Sequence, residues 1–320
     1  MKRTIPAAAA ILAICAAVPA LAADYPELRP AYVENWEAGE DDIRFEFGTA
    51  YWYSWGGRDA GFTGTAPLGN IAVTSRDQTH IGELHGKIED LSTQSYVAGR
   101  AGLGLHTTGT YAITPAGSGA IGNSSRIGYA GADFGWLPAG SMTEGYAFGG
   151  LVGYHYWKDA PTIGTGQYAT SFAAGVPTSM GEARNELDIH ALRLGVKGTA
   201  SFDMFDIQGE LAGVPYAHVS GVLGGSSPGG YNFGGTVYNE NAPTTFTGRG
   251  YGVMTEAMIG FHPTENLTLR LGGRAWYLES TLDAVFNGTS AGGAQPAQTM
   301  PSTYASLFRY GLRAELTGRF

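Results

Sequence analysis

The chain has 320 residues, among them 50 glycines, 18 tyrosines and one cysteine, and carries 19 basic against 28 acidic side chains. That acidic balance excludes a nucleic-acid-binding role, and no stretch of about 18 apolar residues follows the amino terminus, which excludes a helical membrane protein. With 43% hydrophobic residues the glycine content does not describe a disordered chain.

Lys2 and Arg3 precede an apolar run from Ala7 to Leu21, and Ala20-Leu21-Ala22 followed by Ala23 has the small-residue pattern of a signal-peptidase site. The run, at about 15 residues, is short of the roughly 20 that a transmembrane helix needs, so residues 1–23 are expected to be removed on export. Cys15 lies inside this segment, so the mature chain would hold no thiol, disulfide or cysteine metal site. Removing Lys2 and Arg3 with it leaves 17 bases against 28 acids, a net charge of −11. Residues 24–41 read as a polar N-terminal periplasmic segment, and 42–320 as a single domain.

In that domain Ile43, Phe45, Phe47, Thr49, Tyr51 and Tyr53 alternate with Arg44, Glu46, Gly48, Ala50 and Trp52, the period-two pattern of a strand over Ile43 to Ser54. Nine further strands are predicted, at Asp77–Asp90, Ser95–Thr108, Ser125–Leu137, Gly145–Lys158, Asn185–Gly198, Met204–Ala217, Gly250–His262, Leu267–Leu282 and Tyr304–Phe320. Short connections alternate with long ones (Trp55–Arg76, Gly109–Ser124, Asp159–Arg184, His218–Arg249, Asp283–Thr303). Short periplasmic turns and long extracellular loops mark a transmembrane antiparallel β-barrel, the one alternative to helices in a bilayer. Ten strands are expected, or twelve if the Tyr231–Tyr238 stretch joins the wall. In the sixth strand Leu187, Ile189 and Ala191 hold one parity and Leu192, Leu194 and Val196 the other, which predicts a register-repairing bulge at 190–192.

Taking the apolar parity as lipid-facing places Arg44, Glu46, Asp206, Gln208, Glu210, Glu256, Arg270, Arg274, Arg309, Arg313 and Glu315 in the lumen. In a barrel this narrow they are expected to pair across and plug it. Tyr51, Tyr53, Trp55, Tyr154, Tyr156, Tyr216, Tyr251, Tyr277 and Tyr304, with Trp52, Trp157 and Trp276, are predicted to form the interfacial aromatic girdle. The last strand, with Tyr310, Leu312 and the terminal Phe320 on its apolar face, reads as the signal presented to the barrel-assembly machinery.

Candidate chemistry is sparse. Asp188 and His190, two apart on a strand, share a face and could pair as carboxylate and base, although a packed lumen pair is the simpler reading. Gly225-Ser226-Ser227-Pro228-Gly229 matches G-x-S-x-G but lies in a Gly-rich loop without the strand-to-helix turn that a nucleophile elbow needs. Gly248, Gly250 and Gly252 lead into a strand and not the helix of a dinucleotide site. The seven histidines show no metal-ligand spacing, and no cofactor is expected.

Three blocks carry a family resemblance: Ser125 to Lys158 (SRIGYAGADFGWLPAGSMTEGYAFGGLVGYHYWK), Ala191 to Tyr216 (ALRLGVKGTASFDMFDIQGELAGVPY) and Val253 to Tyr277 (VMTEAMIGFHPTENLTLRLGGRAWY). With the terminal strand they resemble the omptins, ten-stranded outer-membrane barrels that include surface proteases, and a group of omptin-like envelope proteins of proteobacteria. The resemblance implies catalytic aspartates in the second long-loop region and an Asp-x-His couple just beyond the seventh strand. Both places depart from that pattern: Gly102 to Ser125 contains no acidic residue, and His218 to Gly224 contains no aspartate. No catalytic residue transfers, so the expected function is a non-enzymatic envelope barrel. It would contact outer-membrane lipid, lipopolysaccharide or an unknown extracellular ligand. A small passive pore and a rim hydrolase are the alternatives.

Overall fold

The computed structural model describes residues 43–63, 70–114, 117–143, 145–163, 184–224, 227–233, 236–240, 244–286, 288–290 and 298–320. The expected signal 1–23, the segment 24–41 and Gly225-Ser226 lie outside them. In chain order the strands are β1 (Ile43–Thr63), β2 (Asn70–Asp90), β3 (Ser95–Thr114), β4 (Gly117–Gly140), β5 (Tyr146–Ile163), β6 (Arg184–Phe202), β7 (Phe205–Gly224), β8 (Ser227–Phe233), β9 (Thr236–Glu240), β10 (Thr244–Thr264), β11 (Leu267–Phe286), β12 (Gly288–Ser290) and β13 (Gln298–Arg319).

Ten of these close a barrel in the order β1-β13-β11-β10-β7-β6-β5-β4-β3-β2. Every barrel pair is antiparallel, and closure brings the two ends of the wall together: Phe45 N–H donates to Phe320 O (3.0 Å) and Phe320 N–H to Phe45 O (2.9 Å). Tyr231 pairs with Tyr238, but inside a separate three-stranded sheet, β12-β9-β8, so this stretch adds nothing to the wall.

All ten predicted wall strands are present, and at the loop end they are longer than their alternation suggested. β1 continues past Ser54 to Thr63 and β2 begins at Asn70, with the ladder unbroken from Trp55↔Gln78 to Thr63↔Asn70. Much of the expected long loops is therefore paired strand. Extension satisfies backbone groups beyond the bilayer, and inward Phe62, Leu187, Ile189, Val219, Leu282 and Leu307 supply an apolar core that holds the extensions together. Phe62 stacks on Phe246 with ring centroids 5.2 Å apart.

The opposite end turns tightly. At 91–94 the Asp90 carboxylate accepts from the N–H groups of Ser92 (3.0 Å) and Thr93 (3.1 Å) and from the Ser92 hydroxyl (2.6 Å). These bonds hold its pKa below the ordinary aspartate value. Gln94 takes a positive φ of 55° to bring the chain back into β3.

The expected bulge in β6 is not there. Its pairing with β5 runs without a shift from Tyr146↔Ala200 to Asp159↔Leu187, and Leu187, Ile189, Ala191 and Arg193 all point inward. The irregularity belongs to β7: Leu192↔Tyr216 is followed by Leu194↔Gly213, and Gly250↔Ala217 by Gly252↔Val214. One extra residue at Val214–Tyr216 switches β7 from Asp206, Glu210 and Ala212 inward to Ala217 and Val219 inward. Pro215, which has no N–H to give to a ladder, sits at this step. The apolar residues of β6 change parity because they serve two environments: Leu187 and Ile189 fill the inner apolar core, whereas Leu192, Leu194 and Val196 stand on the outer wall.

Candidate functional site

Parity divides each strand into an outer and an inner set. Large apolar side chains cover the outer wall: Phe45, Phe47, Leu84, Leu103, Leu211, Ile259, Leu271 and Leu312 are all exposed, the last two at 68% and 66%. Such a belt has no place in water and matches the hydrocarbon band of a spanning barrel. Tyr51, Tyr53, Trp55, Tyr154, Tyr156, Tyr216, Tyr251, Tyr277 and Tyr304 also stand on the outside, half-buried or exposed. Tyr310 packs between Trp55 (centroids 5.5 Å) and Phe308 (5.1 Å). Trp52, Trp157 and Trp276 do not join this girdle. They point inward and are buried, at 0%, 2% and 6% exposure, as their shared parity with Glu46, Asp159 and Arg274 requires.

The inner set is layered. At the level of the bilayer, four arginines face four carboxylates: Arg100, Arg193, Arg274 and Arg313 against Glu83, Asp133, Glu210 and Glu256. Glu83 accepts from Arg274 (2.7 Å), Arg313 (2.5 Å) and the Tyr129 hydroxyl. Glu256 binds Arg274 (2.5 Å) and Arg313 (3.4 Å). Asp133 accepts through both oxygens from Arg193 Nη1 (2.9 Å each) and from Arg100 (3.1 Å), while Arg193 also reaches Glu210. Ions this deep are tolerable only when each finds its counter-charge, and here they do.

Toward the loop end a ring cluster lies over these ions. Trp276 meets Trp52 (4.9 Å), Trp157 (5.0 Å) and His155 (4.5 Å) edge to face, and Tyr129 stacks on Trp157 at 5.7 Å. The Arg274 guanidinium carbon sits 5.2 Å from the Trp52 ring centre, a cation–π contact that ties the two layers together. Beyond the rings Arg309 grips Asp77 bidentately (2.9 and 2.8 Å), and Arg58 lies 3.5 Å from Asp159. Gly56 makes room for that pair, since a Cβ there would meet Arg309 Nη2 at 2.3 Å. The apolar core completes the filling.

At the turn end the lumen widens into a cup of about 490 Å³. Arg44 pairs with Glu89, Lys87 with Glu46 (2.8 Å) and Glu89 (2.7 Å), and Arg319 with Glu46 (3.1 Å). Asp206 accepts from Arg270 (3.2 Å) and lies 2.8 Å from His262, and Arg270 also holds Glu315 (2.8 Å).

The structure thus places every charge assigned to the lumen from sequence inside the barrel and adds others: Asp77, Glu83, Lys87, Glu89, Arg100, Asp133, Asp159, Arg193 and Lys197, with Arg58 and Arg319 at the two ends. Those on β2 to β5 sit on strands whose glycines dilute the alternation, and Arg193 and Lys197 sit on β6, where the apolar residues change parity. Their parity was the available signal. Asp188 and His190 face outward, not into the lumen, and each has its own tyrosine: Tyr156 Oη donates to Asp188 (2.5 Å), and Tyr154 Oη lies 2.5 Å from His190 Nδ1. Among the described residues no three His, Asp or Glu side chains are gathered as metal ligands. At the loop end of the interior the carboxylates of Asp77 and Asp159 are both engaged by arginines.

No protein-family model matches the chain, and no curated protein resembles it in sequence. Among solved structures it is similar to the outer membrane protease OmpT from Escherichia coli, with a TM-score of 0.57 and 10% identity over 87% of this chain and 97% of that one. It also matches the translocator domain of the autotransporter NalP from Neisseria meningitidis at a TM-score of 0.35 and 11% identity, over 87% of this chain and 88% of that one. At such identities the first likeness speaks for the fold alone: this chain is an antiparallel β-barrel of the outer-membrane type.

Proposed function

We propose that this barrel is a non-catalytic, omptin-like scaffold of the bacterial outer membrane, exported through a cleaved signal and presenting extracellular loops for surface contacts. The observation that carries the reading is the filled lumen, in which paired charges, stacked rings and an apolar core succeed one another from the cup to the loop end. A passive pore needs those charges to line an open wall, whereas here they bind one another across the interior. Against a hydrolase stands the state of its candidate groups, since Asp188 and His190 bind separate tyrosines on the outer face and Asp77 and Asp159 are held by arginines.

Incubation with peptide and ester libraries tests this directly. The purified barrel is expected to turn over nothing, and a hydrolysis that Asp188→Ala or His190→Ala abolishes would overturn the reading. Partners in the scaffold role are outer-membrane lipid, lipopolysaccharide and, during biogenesis, the barrel-assembly machinery. Phe320 is 81% exposed on the lipid face and its backbone closes the ring against Phe45. Deleting it is expected to lower the yield of folded barrel in the outer membrane several-fold, as read by heat-modifiable gel mobility of membrane fractions. An unchanged yield would remove the C-terminal strand from the assembly step.

A further inference from the structure

The cup at the turn end has one cation more than its inward carboxylates can neutralise. Arg44, Lys87, Arg270 and Arg319 are tied to Glu46, Glu89, Asp206 and Glu315. Lys197, the fifth cation of this layer, faces Glu210 across the β6–β7 ladder, but that carboxylate is held by Arg193 and Arg100; Lys197 forms no ion pair among the described residues, and its ammonium lies 4.8 Å from the centre of the Tyr96 ring. In the layer above, four arginines already balance four carboxylates. Asp203 and Glu265 also line this cup, but they stand exposed in the turns at its mouth, where water screens them.

Tyr96 is the second observation. Its side chain is 3% exposed and lines the cup, and its hydroxyl has no hydrogen-bond partner. A buried hydroxyl left unpaired costs about 1–3 kcal/mol, so such a group ordinarily marks a place where something else completes the bond. The residue is seated deliberately: Gly135 lies beneath it, and a Cβ there would come within 2.0 Å of the ring. Thr199 and Ser201 continue the lining from Lys197 toward the mouth.

We propose that this cup is a binding site, open to the turn-end side, for a small monocarboxylate with a polar body. The ligand's carboxylate would bind Lys197 Nζ and accept from Tyr96 Oη, while its polar body meets the hydroxyls of Thr199 and Ser201. One surplus cation favours a single negative charge over a multiply charged phosphate, and the volume suits a solute of a few to about twenty heavy atoms. The site lies on the far side of the ion and ring layers from the loops, so it is independent of any surface role.

Equilibrium dialysis of the full-length barrel in nanodiscs against radiolabelled N-acetylglycine tests it, with neutral N-acetylglycinamide as the uncharged competitor. Saturable binding is expected, uncompeted by the amide. It should weaken about tenfold or more in Lys197→Gln, which loses a charge-assisted bond, and about threefold in Tyr96→Phe. Lys158→Gln, on the outer wall, should bind as the unmodified protein does. Circular dichroism establishes that each variant is folded, and should Lys197→Gln fail to fold, Tyr96→Phe decides. No saturable binding, equal competition by the amide, or binding that survives the deciding substitution overturns the proposal.

Discussion

Replacing Glu83 by alanine is expected to destabilise the barrel by about 3–5 kcal/mol, the cost of stripping a buried charge cluster of one member. Glu83 is 3% exposed and is the point where three donors converge: Arg274, Arg313 and the Tyr129 hydroxyl. Without it Arg274 is left with Glu256 alone and Arg313 with Glu256 and Glu315, so two buried guanidinium groups face each other with one counter-charge fewer. Glu83→Gln keeps the shape but loses the charge, and should recover only part of the loss. Urea unfolding in lipid vesicles, followed by tryptophan fluorescence, reports the difference because Trp52 and Trp276 lie against the same arginine. The contrasting control is Arg76→Ala. That guanidinium is half exposed on the outer wall beside Asp59, where an ion pair contributes about 1 kcal/mol or less. Equal effects at Glu83 and Arg76 would mean that the lumen is wet and its charges only loosely held.

The second large effect concerns the outside. Leu271 is 68% exposed on β11, between the turn at its start and the girdle residue Tyr277. If the outer wall faces lipid, Leu271→Arg costs about 2–4 kcal/mol, the price of a cation near the bilayer midplane. If it faced water, an exposed Leu→Arg change would lie within about 0.5 kcal/mol of zero. The same unfolding assay separates the outcomes, and a neutral result would deny the membrane assignment whatever the fold.

Alternation made the wall legible in sequence, because side chains on a strand have only two directions. Arg44 and Glu46 against Phe45 and Phe47, or Arg309 and Arg313 against Tyr310 and Leu312, leave no third arrangement. Two things escaped. Sequence patterns register where polar and apolar faces differ, and in the outer part of the barrel both faces carry apolar groups: Leu187 and Ile189 pack inward there while tyrosines line the outside. The strand extensions and the β7 bulge at Pro215 were therefore hidden. The second is the burial of Trp52, Trp157 and Trp276. Their types suit an interfacial belt, but parity placed them inside, and parity is the stronger constraint because the backbone enforces it. The Glu83 cluster shows why a site assembled from β2, β4, β11 and β13 is hard to foresee: its members are 46 and 191 positions apart in the chain, and no spacing rule connects them.

The claim on which the others rest is that the lumen is closed by its own side chains, and planar-bilayer recording of the purified barrel tests it most directly. The structure predicts a silent membrane, with conductance appearing only when the ion and ring layers are dismantled together, as in a Glu83→Ala, Trp52→Ala, Trp276→Ala triple variant. Steady unitary openings from the unmodified protein would contradict it.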